Sequence, residues 1–172
     1  MTRILASLPL AVLGLLALLF ALFALRHDPH VQPKALVGKP LPELALPALD
    51  DGHVTALSQV TGGGPVLVNV FASWCGPCEI EAPVLMTLKA RGVRLVGVAY
   101  KDAPEKTQAF LDRLGNPYAA TLVDRTGRAG IELGVTGVPE TYLVDAQGVI
   151  RAKYPAPLSA QDAESLLAQL PH

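Results

Sequence analysis

Two cysteines separated by two residues are the feature of this sequence that points most directly to chemistry. Cys75 and Cys78 are the only cysteines among the 172 residues. A disulfide between residues this close closes a very short loop, so it contributes little to stability. The pair therefore predicts redox chemistry or metal binding rather than the staple of a small secreted domain.

The alternatives to redox chemistry need ligands that the sequence does not place near the pair. A structural zinc site has four ligands, and a covalent haem site needs a histidine directly after the second cysteine, where Glu79 stands. The four histidines lie elsewhere in the sequence: His27, His30, His53 and His172. We therefore expect thiol–disulfide exchange with no cofactor and no resident metal, and copper delivery by the two thiols stays open as an alternative.

The pair stands where a buried strand meets the start of a helix. Residues 65–72 form a nearly continuous apolar run, typical of a strand buried on both faces of a sheet, and a helix is predicted from Cys75 to Ala90. Free backbone N–H groups at a helix N-terminus stabilise a nearby anion, which predicts a lowered pKa and a nucleophilic thiolate for Cys75. Cys78, more enclosed one turn later, is predicted to resolve the mixed disulfide formed on Cys75.

Strands and helices alternate along the remaining sequence, which predicts an α/β sandwich. The other predicted strands are 43–46, 53–57, 93–100, 119–123, 141–144 and 149–153, and the other predicted helices are 104–114, 127–133 and 159–170. The formal net charge is −1, and lysine and arginine form no long run. A nucleic-acid surface is therefore not expected.

An uncharged, apolar segment precedes the α/β part. Residues 4–25 contain no charged side chain, and about 20 such residues span a bilayer core as a helix. We predict a membrane anchor at 1–26, a linker at 27–39 and a folded domain at 40–172 outside the cytoplasm. Arg3 weakly favours a cytoplasmic N-terminus. A cleaved signal peptide is the alternative, although no Ala-x-Ala site occurs around residues 20–25.

Several motifs together resemble one family. Trp74-Cys75-Gly76-Pro77-Cys78 is similar to the thioredoxin motif, and three later segments resemble the DsbE/CcmG family: Tyr100-Lys101-Asp102, Gly115-Asn116-Pro117-Tyr118 and 134–141 (Gly-Val-Thr-Gly-Val-Pro-Glu-Thr). The resemblance covers nearly the whole chain, anchor included. It implies a thioredoxin-like α/β fold, with a central mixed β-sheet flanked by helices, plus an N-terminal transmembrane helix.

The resemblance also implies a function. Members of this TlpA-like group are membrane-anchored thiol:disulfide interchange proteins of cytochrome c biogenesis. We therefore expect a single-pass protein of the inner membrane whose periplasmic domain reduces the haem-motif cysteines of apocytochrome c. Its expected partners are apocytochrome c or its maturation complex and a transmembrane dithiol donor of the CcdA/DsbD type, and a monomer is the default expectation.

Three rival functions remain open at the level of sequence. One is a reductase for another client, such as the copper-site cysteines of an oxidase. The second is an oxidant of folding proteins, although the Gly76-Pro77 dipeptide matches thioredoxin and favours the reducing end of the scale. The third, from a different class, is a non-enzymatic copper-binding carrier.

Glu81 is predicted to handle the proton of Cys78. On a helical wheel it shares one face with Cys78, Val84, Leu85 and Leu88, so a carboxyl group stands in the stripe that packs on the sheet. Burial raises the pKa of a carboxyl group, which lets it take a proton from the Cys78 thiol. The family resemblance implies an acid here too. The alternative is a solvated first-turn glutamate.

Four further residues are predicted to contact substrate. The resemblance implies that Pro139 is the cis-proline beside the cysteine pair, which exposes the Val138 backbone to an extended substrate. Glu140 is expected to line the same groove, with a solvated strand-edge glutamate as the alternative. Trp74 is expected to cover the sulfurs and contact substrate, with a core tryptophan as the alternative.

Overall fold

A computed structural model describes residues 12–20, 22 and 36–169. The chain divides into two units, Met1–Pro33 and Lys34–His172. In the first unit, residues 12–20 are helical with exposed side chains. Across the described ranges, no helix is both long and apolar enough to cross a bilayer. Residues 1–11, 21 and 23–26 of the predicted anchor and residues 27–35 of the predicted linker lie outside the described residues, so the anchor and the linker stay predictions.

The second unit contains seven strands and five helices among its described residues. The strands are β1 (Ala45–Pro47), β2 (Val54–Ala56), β3 (Val66–Phe71), β4 (Leu95–Tyr100), β5 (Ala120–Asp124), β6 (Glu140–Val144) and β7 (Ile150–Tyr154). The helices are α1 (Leu57–Thr61), α2 (Gly76–Ala90), α3 (Pro104–Leu114), α4 (Arg128–Glu132) and α5 (Ala160–Gln169).

The central sheet is mixed, as the family resemblance implies. Its five strands have the order β5-β4-β3-β6-β7, and β1 pairs with β2 in a separate hairpin. Strand β3 lies in the middle, parallel to β4 and antiparallel to β6. All six of its residues are buried, which confirms the strand predicted from the apolar run. The helix that follows β3 therefore starts from a rigid point at the centre of the sheet.

Each face of the sheet covers its own apolar core. Leu67 and Phe71 of β3 point to the face that packs against α2, α3 and α5. Val66, Val68 and Val70 point to the other face, which packs against α1 and α4. Asn69 lies between Leu67 and Phe71 in this alternation, so the strand delivers one polar side chain to the α2 face.

The structure differs from the sequence-based prediction in several local features, among them the strand predicted at 43–46, which lies at Ala45–Pro47. The strand predicted at 53–57 ends at Ala56, because Leu57 begins α1, a helix that the sequence did not predict. The side chain of Gln59 accepts a hydrogen bond from the Ala56 backbone N–H (3.3 Å), which closes the first turn of α1. Gly38 and Lys39, from the predicted linker, form backbone hydrogen bonds with Ile150 of β7.

Gly97 of β4 leaves room for an aromatic stack beneath the α2 face. The rings of Phe71 and Tyr118 stack with centroids 4.9 Å apart. A Cβ atom at position 97 would lie 2.8 Å from Cδ2 of Tyr118 and 2.9 Å from Cε1 of Phe71. Such contacts are too short to tolerate, so the glycine is required for this packing.

We predict that Gly97→Ala destabilises the domain by about 1–3 kcal/mol, because one ring must move from a filled core. Gly137→Ala is the matched control, since a Cβ atom there meets nothing within 4 Å. Urea unfolding of the two variants gives the comparison. Equal free energies of unfolding would show that the stack does not depend on Gly97.

Candidate active site

Cys75 occupies the capping position at the start of α2. Its backbone is extended, and its Sγ accepts a hydrogen bond from the Cys78 backbone N–H at 3.2 Å. A side-chain acceptor in this position satisfies one of the unpaired N–H groups of the first helical turn. Pro77 lies within that turn, where its missing N–H removes no helical hydrogen bond. The sulfur therefore lies at the positive end of the helix dipole.

The structure represents the oxidised form of the pair. Cys75 and Cys78 are joined by a disulfide, and their Cα atoms are 5.3 Å apart. Their exposed fractions are 4% and 3%. We predicted that Cys78 is more enclosed than Cys75. In this oxidised form the two residues are buried to nearly the same extent.

The loop before β6 faces the disulfide through a cis-proline. The Val138–Pro139 peptide bond is cis, which confirms the isomer expected from the family resemblance. The carbonyl oxygen of Val138 lies 3.4 Å from Sγ of Cys75. Val138 is half-buried, and Pro139 is buried. The structure thus brings the predicted recognition backbone next to the predicted nucleophile.

Trp74 lies on the surface beside the pair. Its side chain is 58% exposed, which excludes the alternative of a core tryptophan. The indole N–H donates a hydrogen bond to the carbonyl oxygen of Lys101 (3.2 Å). The ring is therefore tethered to the end of β4 while most of its surface stays open to solvent.

Asp102 fixes the segment that carries the cysteines, a role that sequence reasoning did not assign. This buried carboxylate accepts hydrogen bonds from the backbone N–H (2.7 Å) and hydroxyl (2.8 Å) of Ser73. It also accepts from the Thr107 hydroxyl (3.0 Å) and the Ala103 backbone N–H (2.9 Å) at the start of α3. An aspartate just before a proline-led helix is the sequence signal that indicates such a local role.

Glu81 is buried beneath the cysteine pair, as predicted from its helix face. It is 1% exposed. One carboxyl oxygen accepts from the Leu158 backbone N–H (2.8 Å), and the other accepts from Nδ2 of Asn69 (3.1 Å). Burial raises the pKa of Glu81 to about 7, and these two hydrogen bonds partly oppose that rise. The solvated first-turn alternative is therefore wrong.

A polar network surrounds Glu81 inside the core. Asn69 also donates to the Thr141 hydroxyl (2.9 Å) and accepts from the Tyr118 hydroxyl (2.7 Å). Burial raises the pKa of Tyr118 well above its ordinary value, so the phenol stays protonated and donates its hydrogen bond to Asn69. Cys78, Glu81 and Tyr118 all line one small cavity of about 10 Å³, which is about the size of one water.

Glu140 is not at the surface of this site. Its side chain is fully buried, which differs from both predicted positions, the substrate groove and a solvated strand edge. It pairs with Val70 across β6 and β3, so it points to the sheet face opposite Glu81. There its carboxylate forms an ion pair with Nζ of Lys153 (2.9 Å). Sequence reasoning missed Lys153, because the partners come from different strands.

No group of three or more histidine, cysteine, aspartate or glutamate side chains within residues 12–20, 22 and 36–169 is arranged to hold a metal ion. What the described site offers is a sulfur pair at a helix start, a cis-proline backbone beside it and a buried acid below. That combination can exchange disulfides and move the accompanying proton.

Comparison with known proteins gives consistent results. The Redoxin family model matches residues 36–170. A thiol:disulfide interchange protein DsbE from Allochromatium vinosum is 44% identical over 158 residues, covering 91% of this chain and 86% of the relative. The DsbE protein of Escherichia coli is 44% identical over 133 residues, covering 77% of this chain and 72% of that protein.

A solved structure gives the same result. The crystal structure of a candidate DsbE protein from Chlorobium tepidum has a TM-score of 0.64 and 29% identity, covering 77% of this chain and 94% of that one. A secreted disulfide oxidoreductase from Mycobacterium tuberculosis, at 22% identity and a TM-score of 0.65, shares the fold. The sulfur pair, its surroundings and these relatives agree: the chain belongs to the Redoxin family and is a DsbE-type thiol–disulfide oxidoreductase of the thioredoxin superfamily.

Proposed function

We propose that this oxidoreductase works as a reductant outside the cytoplasm, and that its client is the haem-motif disulfide of apocytochrome c. The observation that carries the proposal is Cys75 Sγ at the start of α2, 3.4 Å from the Val138 carbonyl oxygen, with the buried acid Glu81 below. The thioredoxin-like Gly76-Pro77 dipeptide favours a reducing potential. The DsbE relatives support a thiol-exchange role.

The exchange proceeds in two substitutions at sulfur. The Cys75 thiolate attacks one sulfur of the client disulfide, forms a mixed disulfide and releases the other client sulfur as a thiolate. Cys78, as its thiolate, then attacks Cys75 Sγ and releases the second client thiolate. The client gains two electrons, and the enzyme ends as the Cys75–Cys78 disulfide described above.

Glu81 takes the proton that Cys78 must lose before the second substitution. A carboxyl group with a pKa of about 7 exists in both protonation states near neutral pH, which suits a group that accepts a proton and returns it. Cys78 and Glu81 line the same cavity of about 10 Å³, which has room for about one water to relay the proton.

The client lies across the cis-proline loop. An extended segment pairs with the backbone at Val138 and Pro139, next to Cys75, while the exposed indole of Trp74 packs over the exchanging sulfurs. Glu140 has no place in this contact surface, since its side chain is buried on the opposite face of the sheet.

Repeated reduction outside the cytoplasm requires an electron source, and the proposal also places the protein in the membrane. Residues 1–26 serve as a single-pass anchor in the inner membrane, and the residues that follow link it to a periplasmic domain. A transmembrane dithiol donor of the CcdA/DsbD type reduces the Cys75–Cys78 disulfide after each turnover. The apolar length of residues 4–25 and the family resemblance support this arrangement.

Substrate trapping tests the client. In cells, Cys78→Ser is expected to accumulate mixed disulfides on Cys75, because the resolving sulfur is gone, and mass spectrometry is expected to identify apocytochrome c haem-motif peptides. The Cys75→Ser/Cys78→Ser double variant is the control and should trap nothing. If the trapped peptides come instead from an oxidase copper site, the proposed client is wrong, while the proposed exchange mechanism stands.

Glu81→Gln tests the proton transfer. We expect resolution of a preformed mixed disulfide to slow by roughly 10²-fold above pH 7, because the general base is lost. Glu79→Gln is the matched control on the same helix, where the carboxylate is exposed and pairs with Arg113. Stopped-flow measurement of the resolution rate at about ten pH values between 5 and 9 distinguishes the two variants. Equal pH profiles for Glu81→Gln and Glu79→Gln would remove Glu81 from the mechanism.

The same carboxyl group makes stability depend on pH. Its pKa rises from 4.5 to about 7 on folding, so the folded state holds a proton that the unfolded state releases between those values. The contribution of Glu81 to the free energy of unfolding is therefore greatest below pH 4.5. It falls by about 3 kcal/mol as the pH rises from 4.5 to above 7. Urea unfolding of the oxidised protein should show this decline, and Glu81→Gln should remove it. An identical decline in the variant would contradict the shift.

A further inference from the structure

The buried ion pair of Glu140 and Lys153 takes no part in the exchange chemistry described above. The side chains of Lys153 and Glu140 are 5% and 0% exposed, and they lie on the sheet face opposite the cysteines. We propose that this pair is a clamp that holds residues 134–138, here called the recognition loop, in the conformation that receives substrate. Both are positioning residues, since neither touches the reacting sulfurs.

The two charged groups bind the recognition loop at separate points. One oxygen of Glu140 accepts from both the backbone N–H (3.0 Å) and the hydroxyl (2.6 Å) of Thr136. Nζ of Lys153 donates to the carbonyl oxygen of Gly134 (2.7 Å). The loop is therefore fixed at two of its five residues by groups that come from β6 and β7, and the ion pair joins those two attachments.

Tyr142 completes the clamp at its base. Its hydroxyl lies 2.9 Å from both the carboxylate of Glu140 and the carbonyl oxygen of Leu133, the residue that follows α4. Burial, with the neighbouring Glu140 carboxylate, raises the pKa of Tyr142, so the phenol stays a donor. The carboxylate of Glu140 thus has donors from three side chains and one backbone N–H.

Stability alone gives no reason for such a pair. Removing two charges from water offsets most of their attraction, and well-packed apolar residues in their place are often equally stable. A buried pair does favour one arrangement of its surroundings, because any other leaves a charge without a partner. Here the surroundings are a loop whose first two residues also donate backbone hydrogen bonds to α4, from Gly134 to Ile131 (3.0 Å) and from Val135 to Gly130 (2.8 Å). Residues 136–138 have no such backbone bonds, and Gly137 among them permits many backbone conformations.

The clamped loop leads directly to the nucleophile. Thr136 is two residues before Val138, whose carbonyl oxygen lies 3.4 Å from Cys75 Sγ. The inference rests on the proposed pairing of an extended client with the Val138 backbone. A loop that is already ordered spares the complex the entropy of ordering it, so the clamp should accelerate exchange with extended clients. A small disulfide that makes no backbone pairing should not benefit.

Two substrates distinguish these effects. The reduced full-length protein, held in detergent, is mixed in one case with an oxidised peptide that contains a Cys-x-x-Cys-His disulfide. In the other case it is mixed with dithiobis(nitrobenzoic acid). Lys153→Met is expected to lower the second-order rate with the peptide by about tenfold or more, because the loop backbone is misplaced, and to change the rate with the small disulfide less than about twofold. Arg151→Met is the matched control: it removes one positive charge from the same strand, at an exposed pair with Asp145, and should change neither rate.

Thr136→Val provides a second test, since it removes a hydroxyl donor from an exposed residue and should leave folding intact. It is expected to lower the peptide rate selectively, by about threefold, and Lys153→Arg should restore part of what Lys153→Met loses. The clamp is overturned if Lys153→Met and Thr136→Val keep the wild-type ratio of the peptide rate to the small-disulfide rate, including the case in which both rates fall by the same factor. If the wild-type protein reduces the peptide no faster than oxidised glutathione, whose leaving thiol has an acidity similar to that of a cysteine, the proposed backbone pairing is refuted, and the clamp with it.

Discussion

The hydrogen bond from the Cys78 backbone N–H to Cys75 Sγ is the contact on which the rest of the site depends. It places a sulfur where α2 offers unpaired N–H groups, which is where a thiolate is stabilised. Burial of β3 on both faces determines where that helix begins. Asp102 holds the preceding segment to α3, and the cis-proline loop forms the opposite wall. Each of these features serves to keep one sulfur at one helix end.

Two buried glutamates on opposite faces of the same sheet show how surroundings assign roles to identical side chains. The hydrogen-bond donors to Glu81 are a backbone N–H and a carboxamide, both neutral, so burial dominates and its pKa rises to about 7. Glu140 instead has an ammonium group at 2.9 Å. One carboxyl group is therefore suited to carry a proton, and the other to bind an ammonium group and the loop beside it.

How much could be predicted from the sequence depended on how local the signal was. The apolar run at β3, the helix after it and the burial of Glu81 follow from periodicity, because residues on one helix face share one environment. The cis bond at Pro139 came from the family motif alone. Glu140 was misplaced, because the alternation of a strand buried on both faces does not indicate which charged residues are inside. Its partner Lys153 lies on the next strand, and such pairings need the folded register.

The exchange mechanism depends on the start of α2, which keeps the Cys75 sulfur ionised near neutral pH. The direct measurement is the rate of iodoacetamide alkylation of Cys75 as a function of pH, in the reduced Cys78→Ala variant. We expect a titration midpoint well below that of a free cysteine, which is about 8.5. A midpoint at or above that of a free cysteine would contradict it, since the helix start would then give the sulfur no advantage.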